Sequence, residues 1–228
     1  ALVYLVPRAK LSTLLIAGWL WAIFSCAAIG TILIQTELMP ELYSREVLFA
    51  SFLLSLNSIN LNILLGQERM KEFNILLFLQ GGLMFVTMAA SIFILKHDHS
   101  IPYLEACYVA YGGCFLVGLY FVLRKKHIPK LTDSRPILYI LFANGFFTQI
   151  ATLAHQLSIR QNYYYLDTMI PDNKASVGIY STAISLGEAI LLFSASVAAV
   201  LMSKVSNEKL IEVSRKQTMR LSKLSLGV

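Results

Sequence analysis

Asn144, Thr148, Thr152 and His155 stand four, four and three residues apart in a stretch without Asp, Glu, Lys or Arg. That spacing stacks side chains on one face of a helix. Gln149 and Gln156 widen the face, and Arg160 ends it. A second row, Gly178, Ser181, Thr182 and Ser185, has Glu188 at its edge, a carboxylate near the middle of an otherwise uncharged segment. In hydrocarbon such a group must be protonated, paired or wet. A third row, Ser51, Ser55, Ser58 and Asn62, shares its helix with Asn57 and Asn60 on roughly the opposite face. Polar side chains inside apolar segments are costly, so they face a protein interior or a watery cavity. For single Ser and Thr residues, interhelical packing is the favoured explanation. For Asn144, Gln149, His155 and Glu188 together it is a solvated cavity. The candidates for a substrate cavity are therefore Asn144, Thr148, Gln149, Thr152, His155, Arg160, Ser181 and Ser185, with Glu188 as the candidate for ion coupling.

Other chemistries lack their signatures. The sequence has no phosphate-cradling Gly-x-x-x-x-Gly-Lys-Ser/Thr, no Gly-x-Gly-x-x-Gly, no His-Glu-x-x-His and no Gly-x-Ser-x-Gly. No catalytic residue, cofactor or metal site is expected. His97-Asp98-His99 resembles a metal cluster, but it sits in a short turn with no further ligand nearby. Cys26, Cys107 and Cys114 fall inside apolar stretches without a Cys-x-x-Cys and read as small packing residues. Glu105 lies near one end of its stretch, within reach of water. Gly81-Gly82 and Gly112-Gly113 mark expected close helix contacts.

The elements that must position these residues are set by the solvent. The 228 residues are 57% hydrophobic and 14% charged, with mean hydropathy +0.65, whereas a soluble domain carries about 25% charged residues. A helix crosses a bilayer with roughly 20 apolar residues. Leu11–Thr36, Val47–Gln67 and Phe73–Leu95 contain no charge; Pro102–Leu123 is broken only by Glu105, Pro136–Ile159 only by His155, and Ala175–Ser203 only by Glu188. The expectation is an all-α, polytopic transmembrane bundle with six spans.

The net charge of +6 follows from sidedness rather than from nucleic-acid binding. Arg45, Lys96, Arg160 and Lys174 fall on one side of the alternating spans, and the other fifteen Lys and Arg residues on the opposite side. The positive-inside rule places both ends in the cytoplasm. The longest and most basic internal link, Arg124 to Arg135, contains Pro129 and precedes Pro136, which favours extended or turn backbone. It divides the chain into residues 1–128, with four spans, and 129–228, with two. Tyr163, Tyr164 and Tyr165 fall in the expected link Gln161 to Lys174, where an interfacial aromatic belt is favoured over a sugar-stacking platform. Ser206 to Leu224 reads as a basic cytoplasmic connector, with an amphipathic helix on the inner leaflet as the alternative. The opening Ala1 and the apolar Leu221 to Val228 imply a natural chain that continues at both ends.

Two stretches carry a resemblance. Tyr165-Leu-Asp-Thr-Met-Ile, followed by Ser176-Val-Gly-Ile-Tyr-Ser-Thr-Ala-Ile-Ser-Leu-Gly-Glu, resembles the junction of helices seven and eight in the O-antigen and capsular polysaccharide flippases of the multidrug/oligosaccharidyl-lipid/polysaccharide exporter superfamily. The motif positions are Asp167, Val177, Gly178, Tyr180, Ser181 and Ala183. Asn62-Ile-Leu-Leu-Gly-Gln-Glu-Arg-Met-Lys-Glu-Phe-Asn is similar to the cytoplasmic turn after helix four of that family. The resemblance implies helices three to eight of a two-lobed transporter of twelve to fourteen helices in the bacterial inner membrane. The implied activity is alternating-access translocation of undecaprenyl-pyrophosphate-linked oligosaccharide. The implied partners are membrane lipid and the polysaccharide polymerase and chain-length proteins. No Arg or Lys lies mid-span, so the resemblance leaves the pyrophosphate-binding role unassigned. The alternatives are a cation-coupled multidrug exporter of the same fold, a membrane polymerase of lipid-linked sugars, and a non-transporting scaffold. Short external loops disfavour the polymerase, and the polar rows disfavour the scaffold.

Overall fold

The described prolines sit where helices tolerate them. Pro7 falls in a turn outside the helices, while Pro102 and Pro136 fall in first turns, where the missing N–H is not needed. Uninterrupted apolar sequence does the rest. The computed structural model describes residues 2–36, 41–94, 101–124, 134–169, 174–208 and 218–219. The described elements are helices throughout: α1 (Leu2–Leu5), α2 (Leu11–Gln35), α3 (Glu41–Gly66), α4 (Met70–Phe93), α5 (Ile101–Arg124), α6 (Ser134–Met169) and α7 (Lys174–Asn207).

Four of them are long and apolar enough to cross a membrane, over Leu11–Gln35, Ser44–Gly66, Met70–Phe93 and Pro102–Arg124. They match the first four expected spans. The fifth and sixth stretches fall within α6 and α7, helices of 36 and 34 residues. Their helical form agrees with expectation, whereas six crossings go beyond the four spanning helices found among the described residues.

The chain divides into two compact units, one of Leu2–Ser134 and the other of Arg135–Val228. In the first, α5 packs against both α3 and α4, α2 packs against α3, and the short α1 closes on α3. Leu14, Ile63, Leu64, Leu76, Cys114 and Val122 are completely buried between these helices. The opposite surface is oily: Phe78, Phe85 and Phe93 of α4 are 84%, 75% and 79% exposed. A bundle with this much bare aromatic surface suits a lipid surround better than water.

α3 ends in a turn of tight hydrogen bonding. Arg69 N–H donates to Leu64 O and Glu68 N–H to Leu65 O, the paired bonds of a Schellman motif, with Glu68 in the left-handed position at φ 57°. The reversal is so short that α3 and α4 form a hairpin with a fixed register.

Several expectations need correction. Tyr163 to Tyr165 are helical and belong to α6, because neither proline nor glycine interrupts the chain between Gly145 and Pro171. Arg135 and Pro136 are likewise inside the first turn of α6 rather than extended. Gly81 and Gly82 are not close contacts: a Cβ on either meets nothing within 4 Å. Gly113 is one, since its Cβ would lie 3.2 Å from Leu83 Cδ1. The open pair supports a direct prediction. Gly81→Ala and Gly82→Ala should each stabilise α4 by up to about 1 kcal/mol through helix propensity alone, read as a rise in unfolding midpoint. A loss of stability at either position would show that α4 needs a bare backbone there.

Candidate functional site

The residues singled out on α6 do share one continuous helix. Asn144, Thr148, Gln149, Thr152 and His155 are all exposed. Their hydroxyls are spent locally: Thr148 Oγ1 donates to Asn144 O at 2.7 Å and Thr152 Oγ1 to Thr148 O at 2.9 Å. The same happens on α7, where Thr182 donates to Gly178 O at 3.0 Å and Ser185 to Ser181 O at 2.9 Å. Gly178, Ser185 and Glu188 are exposed, whereas Tyr180 and Ser181 are half-buried. A described side-chain contact joining the two helices is Tyr163 against Tyr180, edge-on with ring centroids 5.4 Å apart. The side chains of Arg160 and Asp167 lie outside the described residues, as do His97-Asp98-His99 and most of Ser206 to Leu224. The α6 and α7 rows are thus polar strips with free amide and imidazole groups, and no described contact joins them into one closed pocket.

The most concentrated polar chemistry is elsewhere, inside the four-helix unit. Asn57 and Asn60 of α3 are 0% exposed. Asn57 Nδ2 donates to Gln80 Oε1 of α4 at 2.8 Å, and Asn60 Nδ2 donates to the Phe115 carbonyl of α5 at 3.2 Å. Cys114 Sγ points at Leu76 O, 3.6 Å away. Toward the other end of the hairpins, the buried Ser91 hydroxyl donates to a Glu105 carboxylate oxygen at 2.5 Å, and Tyr108 OH donates to Glu46 O at 3.1 Å. Glu105, expected simply to reach water, is half-buried and held by α4. The opposite row of α3 turns outward, with Ser51 exposed and Ser55, Ser58 and Asn62 half-buried. Ser55 donates to Ser51 O and Asn62 to Ser58 O within their own helix.

Comparison with family models, with curated proteins and with solved structures finds no match to this chain.

The site therefore rests on its own chemistry. Amide groups buried in a bundle of apolar helices bind by hydrogen bonds and carry no charge of their own, so they suit neutral polar ligands. No group of three or more His, Cys, Asp or Glu residues that could hold a metal ion occurs among the described residues. Cys26, Cys107 and Cys114 are free thiols, the last two buried.

The buried pairs had a signal in the sequence that residue type alone misses. In an antiparallel hairpin, residues equally far from the turn meet. Asn57 and Gln80 are equally spaced about the Glu68-Arg69 turn, and Ser91 and Glu105 about Asp98. Polar residues at mirrored positions within apolar helices identify one another.

Proposed function

We propose that this chain is a membrane transporter component that translocates undecaprenyl-pyrophosphate-linked oligosaccharide across the bacterial inner membrane by alternating access, for surface polysaccharide assembly. The observation that carries the reading is the exposed row Asn144, Thr148, Gln149, Thr152 and His155 on α6. A row of amides and an imidazole facing lipid would be expensive, whereas the wall of a wet, sugar-bearing cavity suits it. The motif at Asp167, Gly178 and Tyr180 supports the choice of cargo by resemblance. On this reading α6 and α7 complete six crossings, both ends face the cytoplasm, and the polymerase and chain-length proteins act on the delivered product. Glu188, exposed on α7, is assigned ion coupling; full transport by Glu188→Gln would remove that role.

The decisive measurement is the leaflet distribution of lipid-linked oligosaccharide in cells lacking the full-length gene. Accumulation on the cytoplasmic side, relieved by the parent gene but not by a folded Asn144→Leu/His155→Leu variant, is the expected outcome. Normal externalisation in the deletion strain would sink the flippase reading. If cation efflux were then lost, the drug exporter would replace it; if polymerisation were lost, the polymerase would.

A further inference from the structure

One end of the four-helix unit gathers more positive charge than its carboxylates offset. Arg69 ties the α3–α4 turn to the end of α5, since its Nη1 donates to Phe121 O at 2.7 Å. The segment after α1 sits at the same end: a Cβ on Gly66, the last residue of α3, would stand 2.7 Å from Val6 Cβ. Arg8 and Lys10 follow Val6, Lys71 follows Arg69, and Arg124 lies three residues beyond Phe121. Arg8, Lys10, Arg69, Lys71 and Arg124 thus share this end with two carboxylates, Glu68 and Glu72. Among the described residues the ion pair here is Arg69 with Glu72. Arg8, Lys71 and Arg124 are exposed and Lys10 is half-buried. Arg8 and Arg124 stand 3.8 and 6.0 Å from the ring centroids of Tyr4 and Tyr120, contacts that orient a guanidinium without neutralising it.

Two of these cations head apolar strips. Lys71, Ile75 and Phe78 are spaced four and three and share a face of α4, while Arg124, Tyr120 and Leu116 are spaced four and four on α5. Ile75, Phe78, Tyr120 and Leu116 are all exposed. At 1.5 Å per residue the strips run roughly 10 and 12 Å from their cations, within the roughly 15 Å of hydrocarbon in one leaflet.

An occupant must offer an anion at the level of the helix ends and hydrocarbon beside the strips. A soluble anion supplies only the first. A zwitterionic lipid brings its own cation into a field that repels it. An anionic phospholipid supplies both parts, and a guanidinium matches its phosphate with parallel hydrogen bonds. We propose that Lys71 and Arg124, with Arg8 and Lys10 adding to the local field, hold the headgroups of anionic phospholipids whose chains lie along α4 and α5. Each strip has its own headgroup position, so the two cations need not converge on one molecule. The inference requires that the four helices cross a membrane and is independent of the cargo.

A lipid that binds the folded state raises its stability by mass action. The test titrates the purified full chain in neutral detergent with phosphatidylglycerol and with phosphatidylcholine of the same acyl chains. The expected result is a larger rise in unfolding midpoint with phosphatidylglycerol, a preference mostly lost in Lys71→Gln/Arg124→Gln and kept in Arg45→Gln, whose exposed arginine lies at the other end of α3. Equal rises with the two lipids would mean unselective solvation of the apolar surface and overturn the proposal. So would a preference undiminished in the double variant, or one reproduced by inorganic phosphate alone. Should the double variant fail to fold, a photoreactive residue in place of the exposed Ile75 reads the same site in an otherwise unaltered chain. Preferential labelling of phosphatidylglycerol supports the proposal, and equal labelling of both lipids overturns it.

Discussion

Arg69→Ala is expected to destabilise the four-helix unit by about 3 kcal/mol, the scale for removing a charged partner from a largely buried network. The Arg69 side chain is only 10% exposed. Its Nε and Nη2 both reach Glu72 Oε1 at 3.1 Å, and Nη1 donates to Gln67 Oε1 at 3.3 Å and to Phe121 O at 2.7 Å. Phe121 lies in the last turn of α5, where carbonyls have no partner within the helix. One guanidinium therefore caps α5, braces the α3–α4 turn and neutralises Glu72. Alanine removes this donor from all three acceptors at once. Glu72, at 27% exposure, can recover some hydration, which keeps the loss from being larger. Arg69→Lys should restore less than half of it, because an ammonium cannot match the planar fork that serves separate acceptors. Unfolding of the purified protein in one detergent compares the three forms. Arg69→Ala within about 0.5 kcal/mol of the parent, the range of an ordinary surface substitution, would show that the turn is held by its backbone bonds alone.

The same residue shows what the sequence could and could not reveal. Arg69 was visible as a basic residue in a short turn, where charge counting assigns it an expected side of the membrane. Its contact with Phe121, 52 residues along the chain, depends on how α5 docks, and no local pattern encodes that. The first four spans were legible because lipid-facing and core-facing residues are both apolar, so the whole length of each helix registers as an uncharged run. That uniformity also hides which face points inward. Asn57 and Asn60 were seen as polar and placed opposite the serine row, but choosing the inner face needed the hairpin register about Glu68-Arg69. The serines could be misleading because they satisfy themselves, as Ser55 does on Ser51 O. Asn57 and Asn60 instead reach past their own helix, each placing its amide NH2 on an acceptor of a neighbouring helix. On α6 the residue identities gave the row, and the continuity of the helix preserves it. The helix end was misjudged because a tyrosine-rich, polar stretch leaves the membrane pattern without breaking the helix. Gly81 and Gly82 failed as contact markers for a related reason: a small residue permits close approach but does not create it.

Gly118→Val is expected to cost about 3 kcal/mol, the upper part of the range for inserting methyl groups into a filled site. A Cβ at Gly118 would stand 3.2 Å from Asn60 Cβ, 3.2 Å from Leu76 Cδ1 and 3.3 Å from Asn60 Nδ2. Leu76 can swing its terminal methyl, but Asn60 Cβ is fixed to the α3 backbone, so α5 itself must retreat. Gly118→Ala needs a shift of a few tenths of an ångström, offset by up to about 1 kcal/mol of helix propensity, and should be nearly neutral. Valine adds two more carbons to the same slot, and the retreat is then too large for the Asn60 bond to Phe115 O, already 3.2 Å long. Because Phe115 and Gly118 are three residues apart on α5, both move together. The penalty thus combines overpacking with the loss of a buried amide's protein acceptor, and the two parts are separable. Leu76→Ala in the Gly118→Val background should relieve the packing part and leave the hydrogen-bond part, giving a coupling energy above about 0.5 kcal/mol in a double-mutant cycle. Additive effects within that margin would mean that α5 yields around the valine without involving Leu76, and a Gly118→Val protein as stable as the parent would mean that α5 is not held against Asn60 at all.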